Sequence, residues 1–295
     1  MKINSKLLLS IILIPISVFG LVFLNNNASK NNKLILPKIK FAQPGAPGVH
    51  VDSIELLNNN ISLNKEAKVF KLKKPNLTDQ AVLNLSNKFN INGDIKSDKI
   101  SKSVQDDNNS LFVFNYGGYS YINKLVSRGQ KLEKVPMTDE TAINKANKFL
   151  KEHNLLDKDF EQSKIENLIK EGADGSQEVE RKSVFYYRKI NGINVGGVSR
   201  IIVNFAENGD IQSVIGAYRD IDVEVGSFPL KNISKALDDV KANKGLLHVE
   251  KLEHANLKVK KVELMYWEEP DYNNQPYLQP VYKLSGDAFN NSVQD

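Results

Sequence analysis

The chain has 295 residues, of which 41% are apolar and 25% charged, with a formal net charge of +5. This ordinary globular usage excludes wholesale disorder, a collagen-like fibre and a polytopic membrane protein. The positive charge comes from 35 Lys and 5 Arg distributed along the chain beside 34 Asn. A nucleic-acid binder concentrates such charge on one face, so no nucleic-acid partner is expected. The absence of cysteine removes disulfides, thiolate zinc sites, thiol nucleophiles and a lipid-modified cysteine.

Residues 1–6 carry Lys2 and Lys6, and Leu7–Leu24 follows with 18 residues and no charge. About 20 apolar residues cross a bilayer core, and a positive leader before an apolar run marks a signal segment or signal anchor. Cleavage calls for small residues at the −3 and −1 positions, whereas the run continues into Asn25-Asn26-Asn27-Ala28. The expectation is an uncleaved transmembrane anchor over residues 7–24, a cleaved signal being the alternative. Residues 1–6 are then a short cytoplasmic N-terminus. The protein is expected at the cell membrane, single-pass, with the bulk of the chain extracytoplasmic. Residues 25–50 read as a linker, because a polar run is followed by Gln43-Pro44-Gly45-Ala46-Pro47-Gly48, which stops any regular element, a strand that later joins the domain being the alternative.

Three segments then repeat a cap, an amphipathic helix and alternating strands: residues 51–135, 136–226 and 227–295. The first helix opens at Thr78-Asp79 and stacks Ala81, Val82, Leu85 and Phe89. The second opens at Thr138-Asp139-Glu140 and stacks Ala142, Ile143, Ala146, Phe149 and Leu150. The third starts near Pro229 and stacks Ile233, Ala236, Leu237 and Val240. Threonine accepts from an orphan backbone N–H, and acids favour the positive end of the helix. The i, i+3, i+4, i+7 spacing assigns each face to a core. Alternating runs follow at 111–121, 184–222, 257–267 and 277–284. Asn191-Gly192 and Asn208-Gly209 are the hairpin turns of the middle run. Pro280 cannot donate to a ladder, which predicts an edge strand or a bulge there. The expected fold class is α+β, with repeated helix-plus-antiparallel-sheet units behind the N-terminal membrane anchor.

Tyr187–Gly197 (YRKINGINVGG), with Ile201-Ile202-Val203, Asn208-Gly209-Asp210-Ile211 and Val214-Ile215-Gly216, resembles PepSY/FTP-type modules. Such modules occur in metallopeptidase propeptides and bacterial cell-surface proteins. Tyr277–Leu284 (YLQPVYKL) and the anchor-plus-ectodomain layout resemble the membrane-anchored YycH/YycI regulators. The resemblance spans about residues 136–285 and rests on turn glycines and strand periodicity. It implies a PepSY/YycI-like fold and no catalytic residue, since the motifs are structural.

No catalytic or metal-binding motif stands out. His50, His153, His248 and His254 lack the H-E-x-x-H spacing, and zinc at His248 and His254 is not expected. There is no G-x-S-x-G elbow and no phosphate-binding G-x-x-x-x-G-K-[ST] loop. Asp106-Asp107, Asp238-Asp239 and Glu268-Glu269 read as solvated acids, since acid–base work needs two carboxylates in different environments. No cofactor is expected. Tyr266, Trp267, Tyr272 and Tyr277 cluster about one acidic loop and are candidates for partner binding, a composition favoured at interfaces. The expected function is a non-catalytic regulatory or protein-interaction module, tethered through residues 7–24 and meeting another membrane or cell-surface protein. A propeptide-like peptidase inhibitor or chaperone acting in trans is the alternative.

Overall fold

A computed structural model describes residues 12–15, 36–39, 49–57, 64–127, 137–171, 175–242, 244–247, 253–270 and 275–289. Their chain contacts divide the protein into two compact units, residues 1–72 with 221–295, and residues 73–220. The three sequence segments are thereby distributed over two bodies.

The first unit begins with β1 (Ile12–Pro15), β2 (His50–Leu56) and β3 (Glu66–Leu72). The second unit runs from α1 (Asp79–Lys88) through β4 (Ile95–Ser97), β5 (Ser101–Gln105), β6 (Asn109–Phe114), β7 (Tyr119–Asn123) and the short α2 (Lys124–Ser127) to α3 (Asp139–Glu152). It continues with β8 (Phe160–Glu171), β9 (Gln177–Ile190), β10 (Ile193–Gly197), β11 (Arg200–Phe205) and β12 (Ile211–Ala217). The chain then returns to the first unit with β13 (Ile221–Pro229), α4 (Ile233–Lys241), β14 (His254–Glu268) and β15 (Tyr277–Phe289).

Strands account for 53% of the described residues and helices for 17%. This corrects the expected α+β class of repeated helix-plus-antiparallel-sheet units. The helices form where the sequence places them, but the strands between them do not close into one small sheet per helix. In the second unit α1 and α3 share a single antiparallel sheet, β8-β9-β11-β12-β7-β6-β5-β4, and a single core. Half-buried apolar strands gain more by joining an existing sheet than by leaving two new edges in water.

The threonine caps form as the sequence implies. The Thr78 hydroxyl accepts from Ala81 N at 3.3 Å, and the Thr138 hydroxyl accepts from Thr141 N at 3.1 Å. Both helices end in a left-handed asparagine, Asn90 (φ 57°) and Asn154 (φ 49°), which stops the helical ladder. Val82, Ala142, Ala146 and Leu150 face inward onto Leu111, Val184, Tyr186, Ile201, Val203, Phe205 and Val214. The Asn191-Gly192 turn, with φ of 51° and 79°, joins β9 to β10.

In the first unit β13 pairs β3 and β3 pairs β15, which pairs β14, all antiparallel. The pairing of β14 with β2 is parallel, which the expectation of antiparallel sheets did not contain. Ala236 and Val240 of α4 pack with Val51, Ala255, Leu257, Val259, Tyr282 and Leu284 in this unit's core. Pro280 does not lie in an edge strand, because β15 has neighbours on both sides. It falls where one ladder stops and another starts: β3 pairs as far as Leu278, and β1 pairs from Val281 onward.

Ile12–Pro15, inside the apolar run Leu7–Leu24, is the strand β1, in register from Ile12↔Leu284 to Pro15↔Val281. No helix among the described residues is long and apolar enough to cross a membrane. The expected spanning helix, and the single-pass cell-membrane location built on it, are corrected on these grounds. The run is rich in β-branched Ile and Val, which suit a strand, and Pro15 removes a helical hydrogen bond. The remainder of residues 7–24 lies outside the described residues. Of residues 25–50, Pro37 offers its carbonyl to the Gln279 side chain at 2.9 Å.

Candidate functional site

The aromatic residues singled out near the C-terminus do not converge on one exposed patch. Tyr266 is 1% exposed, donates its hydroxyl to the Lys68 carbonyl at 3.0 Å and meets the edge of Phe70. Burial pushes its phenol up to about 12. Trp267, next along the strand and so on the opposite face, is half-buried. Its indole N–H donates to Glu269 Oε1 at 2.9 Å. Tyr277 is half-buried and pairs with Lys71. Tyr272 lies outside the described residues.

Glu268 and Glu269 correct the reading of these residues as solvated acids, since both are buried. The Gln275 side chain closes the turn around them, accepting from Glu269 N at 2.8 Å and donating to the Trp267 carbonyl at 2.9 Å. A polar pair on a loop reads as solvated until the chain beyond it folds back to supply partners.

Two other features have the makings of a site. The first is an arm of the second unit. β8 and β9 pair from Phe160↔Arg188 out to Glu171↔Gln177, whereas β9 pairs β11 only between Tyr187 and Lys182. Among the described residues the outer part of the hairpin therefore runs on as two strands alone. Leu168, Ile169 and Val179 lie there, 45%, 52% and 46% exposed, with Ile169 directly opposite Val179. The other exposed large apolar residues among those described, such as Ile100, Leu125 and Val223, are well separated along the chain. On its other side β8 has no partner strand among the described residues. The register shift between Gln162 and Lys164 and the Lys164–Glu166 ion pair guard the inner part of this edge, while a second shift falls between Leu168 and Ile169 in the outer part.

The second feature joins β2 to β14 in the first unit. His50 stands opposite His254 in the parallel ladder, anchored by His50 N donating to the Glu253 carbonyl at 2.8 Å. The register then slips: Val51 faces Ala255 while Ser53 faces Asn256, so Asp52 is the extra residue of a bulge. The bulge keeps Val51 and Ile54 on the core side despite their odd spacing and leaves Asp52 toward the histidines. Asp52 Oδ1 lies 2.8 Å from His50 Nδ1 and 2.9 Å from His254 Nδ1, and the two rings are 5.4 Å apart. The hydrogen bond from His254, then that from His50, holds the Asp52 carboxyl below its usual range, and the same contact raises His254.

Sequence reasoning missed both features. His248 lies outside the described residues, and His254 takes partners 202 residues away rather than six. The usable local signal was His50-Val51-Asp52, two ligand-type residues at strand spacing, with the apolar spacing of three from Val51 to Ile54 marking a bulge. For the arm, the signal was the adjacent apolar pair Leu168-Ile169 within an otherwise largely polar strand.

No protein-family model and no curated protein matches the chain. Among solved structures it is similar to an uncharacterized protein from Eubacterium rectale ATCC 33656, 14% identical, with a TM-score of 0.42 over 82% of this chain and 87% of that one. It is also similar to the C-terminal domain of Bacillus megaterium YpeB, 17% identical, with a TM-score of 0.36 over 72% of this chain and 88% of that one. Both scores fall below 0.5, and neither likeness defines what this chain does.

Proposed function

We propose that this protein is a non-catalytic interaction module whose outer β8–β9 arm docks an extended segment of another protein. The observation that carries this reading is the exposed trio Leu168, Ile169 and Val179 on a two-stranded extension whose β8 edge has no partner strand among the described residues. An extended segment added to such an edge gains main-chain hydrogen bonds, and apolar side chains beside the edge select what is added. The inner half of the edge carries the Lys164–Glu166 ion pair and the Gln162/Lys164 register shift, which discourage unspecific pairing and favour a chosen partner over general stickiness. The sequence contains no thiol and none of the nucleophile or phosphate-binding motifs, in keeping with a binding role.

The test places a photocrosslinking residue at Leu168 or Ile169 in the full chain, in cells, with a matching probe at exposed Lys148 as control. The expected result is one dominant partner protein crosslinked from the arm and not from Lys148. Leu168→Ser with Ile169→Asp removes that product while the melting temperature stays within a degree or two. Crosslinking equal at both places, or undiminished in the double variant, would sink the reading, as would self-association through the arm in sedimentation.

A further inference from the structure

We infer that His50, Asp52 and His254 form a binding site for a divalent cation of the zinc class, a property separate from the arm. Three ligand-type side chains from two strands each offer one ligand atom, a ring nitrogen from either histidine and a carboxylate oxygen from Asp52, and these atoms all lie within 4.8 Å of one another. The elements that hold them are regular. The parallel ladder sets His254 opposite His50, and the bulge turns Asp52 toward both. These three belong to one compact unit, so the whole site is carried by a single body.

The dimensions suit a small ion. Two ligands each about 2.0–2.1 Å from a tetrahedral Zn²⁺ stand roughly 3.3 Å apart. The two histidine–aspartate separations are 2.8 and 2.9 Å, so seating an ion asks these contacts to open by about half an ångström, within the reach of side-chain rotation. The exposed rings can make that adjustment: the His50 and His254 side chains are 66% and 60% exposed, and Asp52 is 30% exposed.

The donor set selects the metal. Two imidazoles and one carboxylate suit Zn²⁺, Cu²⁺ or Ni²⁺, whereas Ca²⁺ and Mg²⁺ prefer a shell of oxygens. Three protein ligands leave a fourth position open to solvent for water or a donor from elsewhere. Bound there, the ion ties β2, which follows the N-terminal stretch, to β14 of the C-terminal hairpin.

The test titrates Zn²⁺ alone into the full chain by calorimetry and follows Co²⁺ substitution by visible absorption. One equivalent should bind, Co²⁺ should give the intense bands of four-coordination, and excess Zn²⁺ should raise the melting temperature, since a ligand of the native state stabilises it. His254→Ala and Asp52→Asn should each weaken binding by at least about tenfold, the scale already reached when only a supporting partner of a ligand is lost. His153→Ala should leave binding unchanged. No binding up to about 1 mM, or equal binding by the His254→Ala protein, would overturn the assignment. Because all three positions are solvent-accessible, these variants should fold. Arm-dependent crosslinking can fail while zinc binds, and the reverse, so the two readings fail separately.

Discussion

The hydroxyl of Tyr186 on β9 donates a 2.9 Å hydrogen bond to the side-chain carbonyl of Asn147 on α3, so one phenol ties that helix to the sheet beneath it. Tyr186 is 1% exposed, and burial drives its ionisation well above the ordinary range of a phenol. Tyr186→Phe is expected to cost about 1 kcal/mol, the net worth of one hydrogen bond with a partly solvated partner. The pH dependence follows from the raised value. In the unfolded chain the phenol ionises near about pH 10, while the folded state keeps it neutral. Its contribution is complete below that pH and is lost as pH rises toward the folded value. Denaturant melts should show an alkaline decline in wild type that is shallower in Tyr186→Phe.

The same helix end supplies a packing test. Leu150 is fully buried in the core of the second unit, and Phe149 is half-buried against the rings of Phe89, Tyr121 and His153 at 6.3, 6.0 and 4.2 Å. Leu150→Ala should lose about 2–5 kcal/mol, and Phe149→Ala about 3 kcal/mol, near the lower end for an aromatic truncation. Equilibrium unfolding in urea measures both. A Leu150→Ala protein as stable as wild type would contradict the shared core of α3 and the sheet.

Gly216 on β12 faces its neighbour β7 so closely that an added Cβ would sit 2.3 Å from Tyr119 Cε1. The Tyr119 ring is buried and packs 5.8 Å from Phe89, so it has little room to turn aside. Gly216→Ala should destabilise by about 1–3 kcal/mol through overpacking. A paired Gly216→Ala, Tyr119→Leu protein should recover part of the loss, a coupling that a double-mutant cycle reads directly.

Trp267→Phe removes the indole donor to Glu269, a carboxylate that is 1% exposed. Depriving a buried acceptor of a donor should cost about 1–3 kcal/mol. Crosslinking through the arm should be unchanged in this variant. The opposite pattern, an unaltered melting temperature with lost crosslinking, would return the partner surface to the aromatic residues around Trp267.

What was legible in the sequence is what a few neighbouring residues decide among themselves. Thr78 and Thr138 announce their helices because the capping hydroxyl and the N–H it satisfies lie three residues apart. Asn191-Gly192 announces its hairpin because the turn needs only two residues that accept positive φ. The apolar stripe ending at Leu150 follows from helical geometry alone. The tertiary structure decided everything that depends on which face meets which. The parallel pairing of β2 with β14 joins positions some 202 residues apart, and that pairing is what sets His50 and Asp52 beside His254. Ile12–Pro15 reads as part of a membrane span by hydropathy and is a strand because β15 offers it a ladder. Glu268 and Glu269 read as solvated because their polarity is local information, yet both are buried, and the Glu269 carboxylate accepts from the Trp267 indole while the Glu269 N–H donates to the Gln275 side chain. Local propensity is written into each short stretch of chain, whereas burial and long-range pairing are properties of the whole and are decided by the apolar surface that the completed sheets remove from water.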